Sequence, residues 1–154
     1  MRKFQREIKQ FDDIISVIER CATVRMAMKD EEYPYIVPLS FGYEVEGGRL
    51  TVFFHCATEG RKIDLLNADN RVCLEWDIMH GYIETGHSIT ADYESVIAEG
   101  KAEKCQGEEK IRGIKALLSH TGFENYSAEE CAALPTVAVY KVVCESISGK
   151  KRFD

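Results

Sequence analysis

Phe53-Phe54-His55-Cys56-Ala57-Thr58-Glu59-Gly60-Arg61-Lys62-Ile63-Asp64 runs from apolar strand residues through a His and a small-residue turn into two adjacent cations. Leu50 to Phe54 reads as a strand, and Ile63 and Leu66 at helical spacing, with Thr58 as a cap, read as the start of a helix from about Arg61 to Ala68. Arg61 and Lys62 then fall in the first helical turn, where free N–H groups and the positive end of the helix dipole already favour an anion. Cations there work against the helix, so their presence points to an anionic ligand such as a phosphate. The alternative is an exposed basic turn without a ligand.

The bulk properties narrow the class of molecule. A chain of 154 residues fits one domain spanning 1–154 and can bury a core without covalent staples. With 45% hydrophobic and 30% charged residues it is neither disordered nor fibrous. A net charge of -6 argues against nucleic acid as a main partner. Met1 to Gln10 has no apolar segment of the secretory kind, and no apolar run reaches the roughly 20 residues of a membrane span. A cytoplasmic location is therefore expected. The six cysteines, at 21, 56, 73, 105, 131 and 144, form no CxxC pair and read as reduced thiols. Asn125-Tyr126-Ser127 matches a glycosylation sequon, which in such a chain is accidental.

Outward from the opening stretch, the periodicity predicts mainly strands. Phe11, Ile14, Ile15 and Ile18 mark a short amphipathic helix capped by Asp12 and ending near Cys21. Val24, Met26 and Met28 alternate with Arg25, Ala27 and Lys29 in a first strand, and an acidic turn follows at 30–32. A second strand is expected from Tyr35 to Val45, at an edge or bulged because of Pro38, with Gly42 allowing a close approach. Glu46-Gly47-Gly48 is a hairpin turn into the third strand. Val72 to Asp77 is a fourth strand and Tyr93 to Cys105 a fifth. Between them Ile78 to Ala91, which carries His80 and His87, reads as a long loop. Gly107 to His120 is a helix stopped by Gly122, and Ser127 and Glu130 have capping-box spacing for a last helical turn before Pro135. Val137 to Ile147 is a sixth strand, followed by a basic tail. The expected fold is mainly β with peripheral α-helices, a six-stranded antiparallel barrel closed or partly closed.

Few residues carry chemistry unambiguously. Arg25, in mid-strand, is either a solvent-facing side chain or a third phosphate ligand. His55, at a strand end, is either structural or able to hydrogen-bond a flavin ring or polarise a carbonyl or nitro group. The spacing of His80, His87, Cys73 and Cys56 fits no zinc pattern, so no metal is expected. There is no nucleophile elbow, GxGxxG or GK[ST] loop, which removes the common hydrolase and nucleotide folds.

Arg25-Met26-Ala27-Met28, Pro34 to Tyr43, His55 to Asp64 and Tyr93 to Ala102 together resemble the pyridoxamine 5'-phosphate oxidase-related flavoproteins, and within them the nitroimidazole-resistance branch. The likeness covers nearly the whole chain. It implies an FMN-binding split barrel that forms a homodimer with FMN at the subunit interface. By position, Arg61 and Lys62 match the phosphate-binding pair and Arg25 a further arginine reaching the phosphate. Met26, Ala27 and Met28 would lie along the isoalloxazine, with His55 and Cys56 meeting the cofactor. Ser95 stands where the oxidase branch has a flavin-contacting glutamine, and His55 matches a histidine placed near substrate. The Arg/Trp signature by which the true oxidases grip their substrate is absent from Ser146 to Asp154. The implied activity is FMN-dependent reduction of a small molecule such as a nitroaromatic, with His55 catalytic. The alternatives are a flavin-binding or sensing module without turnover, or a haem-binding split barrel.

Overall fold

The described residues, 3–153 of a computed structural model, run in the order β1 (Glu7–Ile8), α1 (Phe11–Glu19), β2 (Val24–Met28), β3 (Tyr35–Leu39), β4 (Gly42–Glu46), β5 (Arg49–Ala57), α2 (Arg61–Ala68), β6 (Arg71–Thr85), β7 (Ser88–Lys104), α3 (Gly107–His120) and β8 (Val137–Arg152). All ladders are antiparallel. The sheet order is β3-β2-β6-β7-β8-β5-β4, with β1 added to β8. Ser40 and Phe41 carry the chain from one end of this order to the other, so the sheet curls, and β3 and β4 flank a gap across which no ladder runs. Met26, Phe41, Phe54, Leu74, Trp76 and Val96 fill the interior.

The helices follow from their apolar spacing. Ile14, Val17 and Ile18 of α1 enter the barrel core at one end, and Leu66 of α2 enters it at the other. α3 lies outside, over β4, β5 and β8, where Ile114 and Leu117 form a second core with Phe53 and Val139. Gly42 permits the close approach expected of it: a Cβ there would lie 2.3 Å from the Ala116 carbonyl carbon.

Several expectations need correction. Eight strands replace six. The expected second strand breaks at Ser40, because its two halves pair with different neighbours, β2 and β5. Ile78 to Ala91 is not a loop but the distal half of the β6–β7 hairpin, closed at Gly86 and His87. It showed no period because neither of its faces is buried. The basic tail extends β8 to Arg152, pairing with β7 and β1. Asp12 and Thr58 cap nothing: Gln10 and Gly60 hold the N-cap positions, without side-chain bonds. Ser127 Oγ does accept a hydrogen bond from Glu130 N at 3.3 Å, but no α-helix follows, only a 3₁₀ turn at Leu134–Thr136.

One buried charge ties α1 to the sheet. Glu94 accepts hydrogen bonds from Arg20 Nη1 and Nη2 at 2.6 and 2.8 Å, and its Oε2 lies 2.9 Å from His80 Nε2. The Arg20 guanidinium, more than His80, holds the Glu94 carboxyl below the ordinary glutamate value of 4.5. Its stabilising effect is thus complete above that value and is lost as pH falls through the lowered one. Glu94→Gln should cost about 1–3 kcal/mol at neutral pH and flatten the acid limb of stability, measured by urea unfolding across pH. Gly42→Ala should cost about 3 kcal/mol by forcing α3 off β4, measured in the same way.

Candidate functional site

Arg61 and Lys62 sit at the barrel end closed by α2. The N-cap, Gly60, has φ of 119°, a conformation that side chains rarely adopt, and no side chain caps the helix. Ile63 and Asp64 N–H both return to Gly60 O, at 2.8 and 3.1 Å. The Arg61 guanidinium stacks over Tyr35, 4.7 Å from the ring centroid, and donates to the Asp30 carboxylate. Lys62 Nζ lies 5.9 Å from the Phe54 centroid. Cys56 is near it: burial pushes its thiol up, against the pull of Lys62 and Lys104.

β5 distributes its side chains by strict alternation. Phe54 and Cys56 face the barrel interior, while Thr51, Phe53 and His55 face α3. Thus Cys56 and the α2 cations are together, and the His55 side chain points to the other side. There it borders a cavity of about 340 Å³ with Ser40, Leu117, Phe123, Cys131 and Val137 among its walls. No Asp, Glu, Lys or Arg side chain lines it. A second cavity of similar volume, by the β4–β5 turn, is lined by Arg49, Glu109, Arg112 and Lys141. Its Arg112 and Lys141 are already paired with Glu44 and Glu109.

The first-strand residues divide. Met26 and Met28 point into the core. Arg25 and Ala27 share the outer face of β2, and cross-strand register puts Ser95 on that face too, opposite Asp77. Arg25 Nη1 donates to Glu75 Oε2 at 2.9 Å and to Asp77. Two carboxylates against one guanidinium leave that point net negative, whereas Arg61 has one partner. Pairing of β4 with β5 stops at Gly42 opposite Phe53, so Phe54 to Ala57 have no β4 partner along one edge. The gap in the barrel therefore leaves one edge of β5 at His55 and Cys56 without a strand partner.

Sequence reasoning did not single out Ser40, Asp30, Tyr35 or the segment after α3 that walls the cavity.

The family model for pyridoxamine 5'-phosphate oxidase matches residues 11–151. The chain belongs to that family. Its fold is the split barrel. A candidate 5-nitroimidazole antibiotic resistance protein from Bacteroides thetaiotaomicron is 30% identical over 94% of this chain and 85% of its own, with a TM-score of 0.80. The FAD and haem binding protein of Mycobacterium smegmatis, 13% identical over 97% of this chain and 74% of its own, has a TM-score of 0.82. A FAD-binding protein of Mesorhizobium loti, 20% identical over 96% and 98%, has 0.68. The latter two share the fold. No curated protein matches the chain. Among the described residues, no helix is long and apolar enough to cross a membrane, and no group of three or more His, Cys, Asp and Glu is placed to hold a metal ion.

Asp30 competes with any anion for Arg61. Its carboxyl is held below the usual range by the Arg61 hydrogen bond, so it stays ionised throughout the neutral range. Asp30→Asn should therefore tighten binding of inorganic phosphate a few-fold without changing the melting temperature, as read by calorimetric titration and thermal unfolding.

Proposed function

We propose that this member of the family is an FMN-dependent oxidoreductase working as a two-fold homodimer, with the flavin at the interface between copies. The observation that carries the reading is the uncapped N-terminus of α2, which bears Arg61 and Lys62 at the barrel end of a chain of this family. Two cations beside free helix N–H groups suit a phosphate monoester, and the exposed β5 edge suits the polar rim of a flat ring. The donor set thus fits FMN. For Arg25 to serve as a third phosphate ligand its guanidinium must exchange Glu75 and Asp77 for the phosphate, which makes it the weakest of the three. Ala27 and Ser95 lie on the outer face that a second copy would cover, and Met26 and Met28 support that face from within.

Bound FMN would supply the electron or hydride transfer. The chain's own residues do the rest. Arg61 and Lys62 hold the phosphate, and the β5 edge at His55 and Cys56 orients the ring. His55 donates a hydrogen bond or a proton to an acceptor in the uncharged cavity against α3. Those walls favour a small neutral acceptor, for which a nitroaromatic is the leading candidate, in keeping with the name of the relative at 30% identity.

The absorption spectrum of the purified protein is the first test: flavin bands support the reading, and a haem band in their place overturns it. Riboflavin should bind about 10- to 100-fold more weakly than FMN, and the Arg61→Ala, Lys62→Ala double variant should lose FMN affinity on the same scale. Equal affinities would remove the phosphate site. His55→Ala should slow reduction of a nitro or quinone acceptor by about 10²-fold per bound flavin with melting temperature and flavin occupancy retained. An unaltered rate strikes His55 from the catalytic role, and absence of any turnover leaves a flavin-binding module.

A further inference from the structure

β6 and β7 continue past the barrel as a two-stranded arm. The ladder between β7 and β8 ends with Tyr93 opposite Arg152, and beyond it Gly81 to Thr85 pair only with Ser88 to Asp92. No residue from 79 to 93 is buried. A lone hairpin of this kind is marginal in water. Its root, however, is pinned. The register shifts between Met79 and Gly81, leaving His80 as the bulged residue, and His80 bonds the buried Glu94 that also holds Arg20 at the end of α1. Such a bulge bends a strand and sets the direction of the arm beyond it.

The arm's two faces differ. Alternation along β7 puts Ile89 and Ala91 on the side of Ser95 and Ile97, and the register brings Met79 and Tyr82 to that same side. This is the outer face of the β3-β2-β6-β7 half. α1 meets β6 and β7 from the interior, and α3 packs mainly on β4, β5 and β8. Large apolar side chains stud the uncovered face from end to end: Ile36 is 58% exposed, Ile97 47%, Met79 54%, Tyr82 73% and Ile89 74%. These are five of the eleven exposed large apolar side chains among the described residues, and a contiguous apolar patch of this kind marks a protein interface.

We propose that the β6–β7 arm is a clasp that lies across the outer face of a second copy of this chain and buries Tyr82 and Ile89 there. The inference rests on the two-fold pairing proposed above. In a two-fold contact the same patch serves on both subunits. Because the arm prolongs that patch beyond its own barrel, the overhanging part of one copy meets the barrel of the other. Glu84 is the one ionised side chain on the arm's apolar face, so the arm brings a single charge to the contact. The pinned root lets the arm dock without a large ordering cost.

Sedimentation of the wild type and of the Tyr82→Ser, Ile89→Ser double variant tests the clasp, together with amide hydrogen exchange of the 79–93 peptide at high and low protein concentration. The dimer dissociation constant should rise tenfold or more in the variant with its melting temperature as a dilute monomer unchanged. In the wild type the arm amides should be protected in the dimer and lose protection on dilution. A wild-type dimer with an unchanged dissociation constant in the variant overturns the clasp and leaves the pairing intact. Arm protection that survives dilution to monomer likewise overturns it. A wild type that is monomeric at every concentration overturns the pairing, and the clasp with it.

Discussion

Phe53 and Phe54 are consecutive, both buried, and on opposite sides of β5, one in the α3 cluster and one in the barrel core. Burial on both faces fixes the register of β5, since a one-residue slip would exchange its two faces. The next two residues inherit that register: His55 must face α3 and Cys56 must face the interior near Lys62. The division of the candidate site into a cationic side and an uncharged cavity is thus a consequence of packing two residues earlier. Gly42 serves the same arrangement, because its lack of a side chain, like that of Gly113 on α3, lets α3 come close enough to cover Phe53.

Electrostatics then ranks the cations. Arg25, Arg61 and Lys62 are equivalent in sequence as positive charges near apolar strands, but their surroundings differ. Arg25 lies between Glu75 and Asp77 because β6 places two acidic residues, two apart, on the face that β2 turns outward. Arg61 has one carboxylate partner, and Lys62 lies against an aromatic ring, with no salt bridge among the described residues. Exposed pairs of this kind are weak and exchangeable, so the count of partners, more than their distance, decides which cation an arriving anion can recruit.

The elements legible in the sequence were those with one buried face. α2 and α3 were delimited residue for residue by apolar spacing, and the β4–β5 hairpin by its paired glycines. The arm was illegible for the converse reason: with neither face in the core, Tyr82, Ile83 and Ile89 impose no alternation. The break at Ser40 was hidden because Leu39, Phe41 and Tyr43 keep an apolar alternation across it, although Leu39 belongs to the β2 side of the sheet and Tyr43 to the β5 side. As to the site, the residues were visible as types and the distribution over two sides was not, since that depends on α3 packing from far along the chain. The carboxylates on Arg25 and Arg61 come from other strands and turns, which no local motif reveals.

The gap between β3 and β4 reconciles two sides of one strand with one ligand. Elsewhere in the barrel a ligand on the α3 side is separated from the interior by a continuous ladder. Beyond Phe53 β5 is paired only with β8, so its other edge is a free border at which both sides of the sheet are reached from one point. A flat molecule set against that border can direct an anionic tail toward Arg61 and Lys62 and still expose one end to the His55 cavity. The backbone groups that alternate residues of Phe54 to Ala57 turn away from β8 are then available to its polar rim, and no strand pairs with them on that edge. An edge left unpaired is ordinarily a liability in a β protein. Here the covering of that edge by a ligand, and not by another strand, is what the interruption of the barrel makes room for.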